Sequence, residues 1–596
     1  MKKEIVGSTL VWLSLLLAIG GMKLCAQERN WEVLTLFGGN RDSTTAFGDT
    51  NPFALAYDEK RDRIIIAGLT FEPDLPTTAN AIKRTKTDMM DGFIAVFNSD
   101  CSEVIYCSYI GGTNNDAVAD VVVLDDDRVL VALSTYSQDI PTTGTAWLST
   151  APGYHTSWFG VLSLETFELI HAGFFGGSNT ESDAISRAMV LQDGSLLMTG
   201  AAASTDLPVT DDAFQKEKKG SDRDAFIAIF DSSFALTFCS YHGGADDTED
   251  AFGGVVETEN YLVFTGNAYG EGMPVTMNAH QDTFGGGWLD AYMVVISKES
   301  RERVYSTYLG GDDKELMQGL LSLGNDRIAL VGGTSSKDFP ITPNAWQSVL
   351  VDTNDWSTYD AIIAVFDLKS MSFEQMSFFG GNSSDFSRVI IRGSNDGSVF
   401  LPIETASYEF PLMYSKSDSV TFRCVLVSYN TDTYEPLAAV PLIEVTDSSI
   451  KSMLRTEGDR ILYCGRTTRY SRSKELPVRS TGHRTKRAGS DDVYIATVYN
   501  RPVSVDALSE ATPSLDGLSI HPQPAREALH FVLNSSEDAT VMLYDLLGRC
   551  IRETRVHSNG QGVHGLLRLG GVPPGVYLLV ARTKTDISTR KVVVTR

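Results

Sequence analysis

Apolar residues in this chain come in short runs that alternate with polar ones and are cut by Gly, Asp and Asn turns, the pattern of half-buried β-strands. One stretch, VYSTYLGGDD at 304–313, has close relatives: IYCSYIGG (105–112), IHAGFFGG (170–177), TFCSYHGG (237–244) and QMSFFGG (375–381). A second signature lies between them: DLPTT at 74, DIPTT at 139, DLPVT at 206, GMPVT at 272, DFPIT at 338, EFPLM at 409 and ELPVR at 475. Its prolines, from Pro76 to Pro477, recur every 65 to 71 residues. Seven copies at so regular a period predict a repeat architecture. Each unit holds four β-type runs; in the second they are AVADVVVL, RVLVALST, WFGVLSL and ELIHAGFF. Polar turns such as Asp125–Asp127 join the first two runs as hairpins.

Four strands per unit and seven units predict an all-β fold, a seven-bladed β-propeller of four-stranded blades. The seventh unit stops after DVYIATV (492–498) without a Gly-Gly strand, whereas the chain near its start reads WEVLTLFGG (31–39). The first strand is therefore expected to complete the last blade and cover an edge left open by any linear stack. The sixth unit departs most, because LAAVPLIEV (437–445) lacks the Gly-Gly pair. Cys107, Cys239 and Cys464 occupy repeat positions that are Ala, Ser or Thr elsewhere, so they read as small core residues.

A formal charge of −26 over 596 residues speaks against a nucleic-acid or anionic-membrane surface. Lys2 and Lys3 precede an apolar stretch, Leu10 to Ile19, and small Ala26 offers a cleavage point, so residues 1–26 are expected to be a signal peptide. No later run is long and apolar enough to predict a transmembrane helix. Residues 27–503 then form the propeller, 504–516 a small, polar linker, and 517–596 a small β-sandwich of alternating strands with Pro and Gly turns.

With DAFIAIF, FCSYHGGADD and LVFTGNAYGEGMPVT on the page, residues 31–500 resemble the bacterial seven-bladed β-propeller repeat family with Tyr-Ser-Thr-Tyr-Leu-Gly-Gly cores. That resemblance implies the fold and no single activity. The C-terminal residues resemble the type A sorting domain of the type IX secretion system of Bacteroidetes. The matching pieces are Pro522–Ala525, Tyr544-Asp545 with Gly548-Arg549, Pro574-Gly575-Val576-Tyr577, and Lys591–Val594. The resemblance makes Asp545, Gly548, Gly575, Tyr577 and Lys591 the sorting-motif residues; His521 stands where the family usually has an aromatic. It implies passage across the outer membrane by the type IX machinery, with the domain removed as the cargo is attached to the surface or released.

Chemistry is sparse. Acids follow the Gly-Gly pairs, among them Asp116, Asp183, Asp247, Asp313 and Asp385, and the propeller would gather them near one mouth of its channel. They read either as turn residues satisfying backbone groups or as a site for Ca²⁺ or a cationic ligand. A basic stretch, 466–487, with Arg466, Arg469, Arg472, Arg484, Lys486 and Arg487, is either a solvated loop or a contact for an anionic glycan or envelope surface. Motifs of zinc peptidases, serine hydrolases and phosphate loops are absent. The expected function is an exported or surface-displayed binding or scaffold module with a glycan, host-protein or envelope-protein ligand and no required cofactor. The rival is a glycan hydrolase using channel-mouth carboxylates.

Overall fold

The computed structural model describes residues 31–38, 50–467 and 492–499, then 518–594. Excepted are 88, 126, 179–181, 245–250, 352–357, 394–396, 408–409, 411–422, 444–448, 459, 522–524, 526–527, 534–537, 545–549, 559–562, 570–571, 573–574 and 583–586. The expected signal peptide and linker lie outside these residues. The chain divides into two compact units, Asn30–Asn500 and one that includes Arg501–Arg596. Among the described residues there are strands and no helix.

The larger unit contains seven antiparallel sheets, six of which follow chain order from first strand to fourth. Sheet one runs Thr50–Asp58, Arg63–Thr70, Asp91–Asn98, Val104–Ile110, and the pattern repeats from Asp116, Asp183, Ala251, Glu315 and Asp385. The seventh sheet differs. Its strands are Ser449–Arg455, Arg460–Thr467 and Asp492–Tyr499, and its fourth is Trp31–Phe37, paired antiparallel to Asp492–Tyr499. The middle strands bury both faces, as in IIIA at 64–67, so each sheet packs between two neighbours rather than against solvent.

Hydrogen bonds stitch successive sheets. Arg61 reaches Asp127 and Glu165, Asp120 accepts the Ala188 N–H, Ser186 donates to the Phe252 carbonyl, and Arg388 donates to Gln318. Glu404 accepts the Ile450 N–H. Between the seventh sheet and the first, Arg460 donates to the Ser99 carbonyl and the Glu457 N–H to Glu59.

The repeated Tyr of the Gly-Gly strand has a defined task. The hydroxyls of Tyr109, Tyr241 and Tyr308 each accept a backbone N–H from the Leu-Pro-Thr type loop (Leu75, Leu207, Met273) and donate to a carbonyl just upstream (Glu72, Ser204, Gly270). One side chain thus fastens both ends of a loop that makes few ladder bonds of its own. The five cysteines described, Cys101, Cys107, Cys239, Cys424 and Cys464, are buried and unpaired. Burial pushes the Cys107 thiol up to about 12, which keeps it protonated and unreactive.

In the smaller unit a three-stranded sheet (Leu518–His521, Ala528–Leu533, Val563–Arg568) and a four-stranded sheet share one apolar core that includes Phe531, Val541, Leu579 and Val592. Tyr577 is buried in that core and pairs with Val592; Gly575 opens its strand opposite Val594, and Lys591 lies opposite Leu578. Asp545 and Gly548 lie outside the described residues.

Candidate functional site

Two sets of polar residues recur from sheet to sheet, and they have different surroundings. The first is the acids of the Gly-Gly loops. Asp116 opens the first strand of sheet two; its carboxylate accepts the Gly112 N–H at 2.8 Å, the Ser137 hydroxyl at 2.9 Å and the Thr135 hydroxyl. Asp183 takes the Gly177 and Ser204 N–H groups and the Ser204 hydroxyl, and Asp385 takes the Gly381 N–H and the Ser407 hydroxyl. All three are buried. Each is an internal latch that binds the preceding Gly-Gly turn to the end of the second strand.

The glycines follow from the same contacts. A Cβ on Gly112 would lie 2.0 Å from Asp139 Oδ1, and one on Gly111 2.3 Å from Asp116 Oδ2. Asp139, the acid of the DIPTT signature, accepts the Thr113 N–H at 2.9 Å, so the two signatures of adjacent units meet at this turn. The Gly111-Gly112 pair is therefore a close backbone approach to two carboxylates.

Asp313 does not hold the equivalent position in sheet five. Glu315 does, accepting the Gly311 N–H at 3.0 Å and the Thr334 hydroxyl, while Asp313 lies in the turn with its own N–H on Ser336. The signal was available: the latch is the acid immediately ahead of each first apolar run. Asp247 lies outside the described residues, as do Arg469, Arg472, Arg484, Lys486 and Arg487. Arg466 is the penultimate residue of the second strand of sheet seven, opposite Ser449 and Val493. Desolvation pushes Asp116 up to about 6 and both Asp290 and Glu315 up to about 7, against the hydrogen bonds that favour their charged forms. Among the described residues no group of three His, Cys, Asp or Glu is arranged to hold a metal ion.

The second set was missed at the level of sequence. In six sheets one residue of the first strand drops out of the pairing register: Phe53, Ala119, Ser186, Gly253, Gln318 and Lys451. In sheet six the ladder breaks between Ser387 and Ile391, where Arg388 sits. A bulge re-aims its side chain, and five of these residues (Phe53, Ala119, Ser186, Arg388, Lys451) line one cavity of about 360 Å³, together with Ala117, Ser134 and Arg187. First strands of sheets one, two, three, six and seven thus converge on it.

That wall carries three cations in a strongly acidic protein. Arg187 Nε donates to the Gly253 carbonyl at 3.0 Å. Arg388 donates to Gln318 Oε1 at 3.0 Å and lies 4.5 Å above the Phe386 ring. None of Arg187, Arg388 and Lys451 forms an ion pair within 4 Å among the described residues. Asp120 interacts electrostatically with Arg187, and Glu404 with Arg388 and Lys451. Asp120 accepts the Ala188 and Val121 N–H groups, Glu404 accepts the Ile450 N–H, and desolvation raises the pKa of both. Desolvation is also the main effect lowering the Lys451 pKa; Glu404 opposes it, and Arg388 and Arg466 add to it.

Ser134 faces this cavity with its Oγ 2.7 Å from His155 Nε2. Desolvation holds His155 down at about 4, so it is neutral, and its ring stacks on Tyr136. Its Nδ1 is buried without a partner. A proton on Nδ1 would be an unpaired buried donor, so the favoured tautomer protonates Nε2 and donates to Ser134. His155 then cannot act as the base for Ser134, and the Ser134 hydroxyl proton remains to be donated into the cavity.

Residues 519–595 match the family model of the secretion system C-terminal sorting domain, the type IX sorting tail. The tail directs secretion toward the cell surface or extracellular space and implies an interaction with the type IX machinery. No helix among the described residues is long and apolar enough to cross a membrane. No curated protein sequence matches the chain. Similar solved structures include Raptor of Chaetomium thermophilum (10% identity, 81% of this chain and 30% of that one, TM-score 0.40). Another is the acylaminoacyl peptidase of Pyrococcus horikoshii (10%, 84% and 59%, 0.36). A glucose dehydrogenase is a third (9%, 78% and 99%, 0.31). The chain spans less than two thirds of the first two, and likenesses this distant carry no functional argument.

Proposed function

We propose that the larger unit is a seven-bladed propeller, its ring completed by the N-terminal strand. It serves as an exported binding or scaffold module delivered to the surface by the C-terminal sorting domain. The observation that carries the export half is the family match over 519–595. The ring reading is supported by the Trp31–Phe37 pairing with Asp492–Tyr499 and by the bonds from sheet seven to sheet one. The binding reading is supported by five first strands of different sheets meeting at one cavity whose wall is chemically unlike the rest of the unit. The acids of the Gly-Gly loops, by contrast, spend their oxygens on intrachain donors, which leaves a channel-mouth hydrolase without support.

Two experiments test this. Deleting residues 517–596 should retain the protein in the periplasm; normal surface display of the truncated chain would sink the sorting role. The purified full-length protein should bind selectively on an array of glycans and matrix or envelope proteins, read with and without calcium. Silence in both conditions argues against a macromolecular ligand.

A further inference from the structure

We propose that the 360 Å³ cavity binds a small oxyanion, a carboxylate- or phosphate-bearing molecule of about monosaccharide size, held by Arg187, Arg388 and Lys451 with the Ser134 hydroxyl as a further donor. The inference deepens the binding reading above and rests on it for its biological sense. Three observations carry it. First, guanidinium groups present paired donors that match carboxylate and phosphate oxygens. Arg187 and Arg388 each donate once to a neighbouring sheet, to Gly253 and to Gln318, and keep other N–H groups for a ligand. Second, Lys451 makes no hydrogen bond or ion pair with any described residue, although it lies in the cavity wall. Third, the cavity is at the small end of ligand pockets, which run from roughly 300 to 1,000 Å³, a size that matches one sugar-sized group.

Three cations share two carboxylates, Asp120 near Arg187 and Glu404 near Arg388 and Lys451, so the excess positive charge is repelled by its like-charged neighbours and is costly to desolvate. An anion seated among them removes both penalties and adds stability by mass action. Asp120 and Glu404 offset part of this charge, while each also accepts a backbone N–H of an adjacent sheet. Phe53 adds an apolar wall beside the cations, suited to the carbon face of a sugar acid.

Calorimetric titration of the full-length protein tests the site, with inorganic phosphate, citrate and free glucuronate in one arm and a glucuronate-terminated oligosaccharide in the other. One-to-one binding that weakens with added salt is expected in the first arm. Comparable affinity in the second would make the source a glycan end, and loss there a free metabolite. Lys451→Met and Arg187→Gln should each weaken binding at least tenfold, with Lys369→Gln, an exposed lysine away from the cavity, unchanged. Should either variant fail to fold by circular dichroism, Ser134→Ala should still cost several-fold. No heat with any anion, or affinity indifferent to these substitutions, overturns the proposal. A silent titration with a positive array removes this site and keeps the binding module; a positive titration with a silent array does the reverse.

Discussion

The Gly-Gly loops and the cavity wall occupy equivalent places in every sheet, yet they obey opposite rules. In the loops the same contact recurs: Gly112 to Asp116, Gly177 to Asp183, Gly311 to Glu315, Gly381 to Asp385. At the bulge of the first strand nothing recurs. Reading from sheet one to seven, the residues are Phe53, Ala119, Ser186, Gly253, Gln318, Arg388 and Lys451, a different type each time. A contact that joins one sheet to the next is copied in four of them among the described residues. A position facing a shared central space is released from that need, and its chemistry can be set by what enters. The loop acids looked functional because they were repeated, and repetition is the mark of their structural role.

If the loops are structural, breaking one should be severe. Gly112→Ala drives a Cβ to 2.0 Å from Asp139 Oδ1 and 2.6 Å from Ser137 Cβ, both held by hydrogen bonds. A loss of about 3–4 kcal/mol is expected in urea unfolding. Gly144→Ala has nothing within 4 Å of the added carbon and should fall within about 0.5 kcal/mol of wild type. Equal costs at the two sites would remove the close-approach argument.

Glu315→Gln sharpens the comparison through pH. The folded pKa of Glu315 is raised to about 7, chiefly by desolvation, from an unfolded value near ~4.3. A raised acid contributes stability that is complete below the unfolded value and is lost as pH rises through the folded one. Wild type should therefore lose stability relative to the variant between pH 5 and 8, by on the order of 2 kcal/mol, read as diverging melting temperatures. Neutral His155 and His242 pull the other way below pH 6.5, but equally in both proteins. Parallel curves would mean that Glu315 is not the buried latch.

Much of this was legible in the chain. Alternating apolar runs and Gly-Gly turns are local and repeated, so the strands, their grouping in fours and the pairing of Trp31–Phe37 with the last strands could be read before any coordinates. The buried, inert cysteines could be read from their repeat columns. The exchange of Asp313 for Glu315 was not seen, because the two residues differ only in whether they precede or belong to the strand. Nor was the cavity. Which residue leaves the ladder depends on register with the second strand, and three cations 63 or more residues apart in sequence meet only through packing of the sheets.

Tyr241→Phe probes the loop fastening with a smaller change. It deletes the hydroxyl that takes the Leu207 N–H and donates to the Ser204 carbonyl. Leaving a buried N–H and carbonyl unpaired should cost about 1–2 kcal/mol. Sheets two and five already carry Phe174 and Phe378 at this place, so the fold should survive. Protease cutting at the Asp206–Thr210 loop should rise in step with the lost stability, and an unchanged digestion pattern would count against the fastening.

The smallest stability effect is expected where the functional effect is largest. Lys451 makes no hydrogen bond with a described residue, and desolvation pushes it toward its neutral form, with Glu404 opposing and Arg388 and Arg466 assisting. Replacing it with Met keeps the length of the side chain and removes the desolvation cost, which outweighs the lost attraction to Glu404, so the variant should melt within about 1 kcal/mol of wild type and on its stable side. If Lys451→Met instead destabilises the unit as a latch mutation does, the cations are structural partners of Asp120 and Glu404, and the bulge positions join the loops as part of the scaffold. If it stabilises, the native lysine is retained at a cost to folding, which is the energetic signature of a group kept for a ligand.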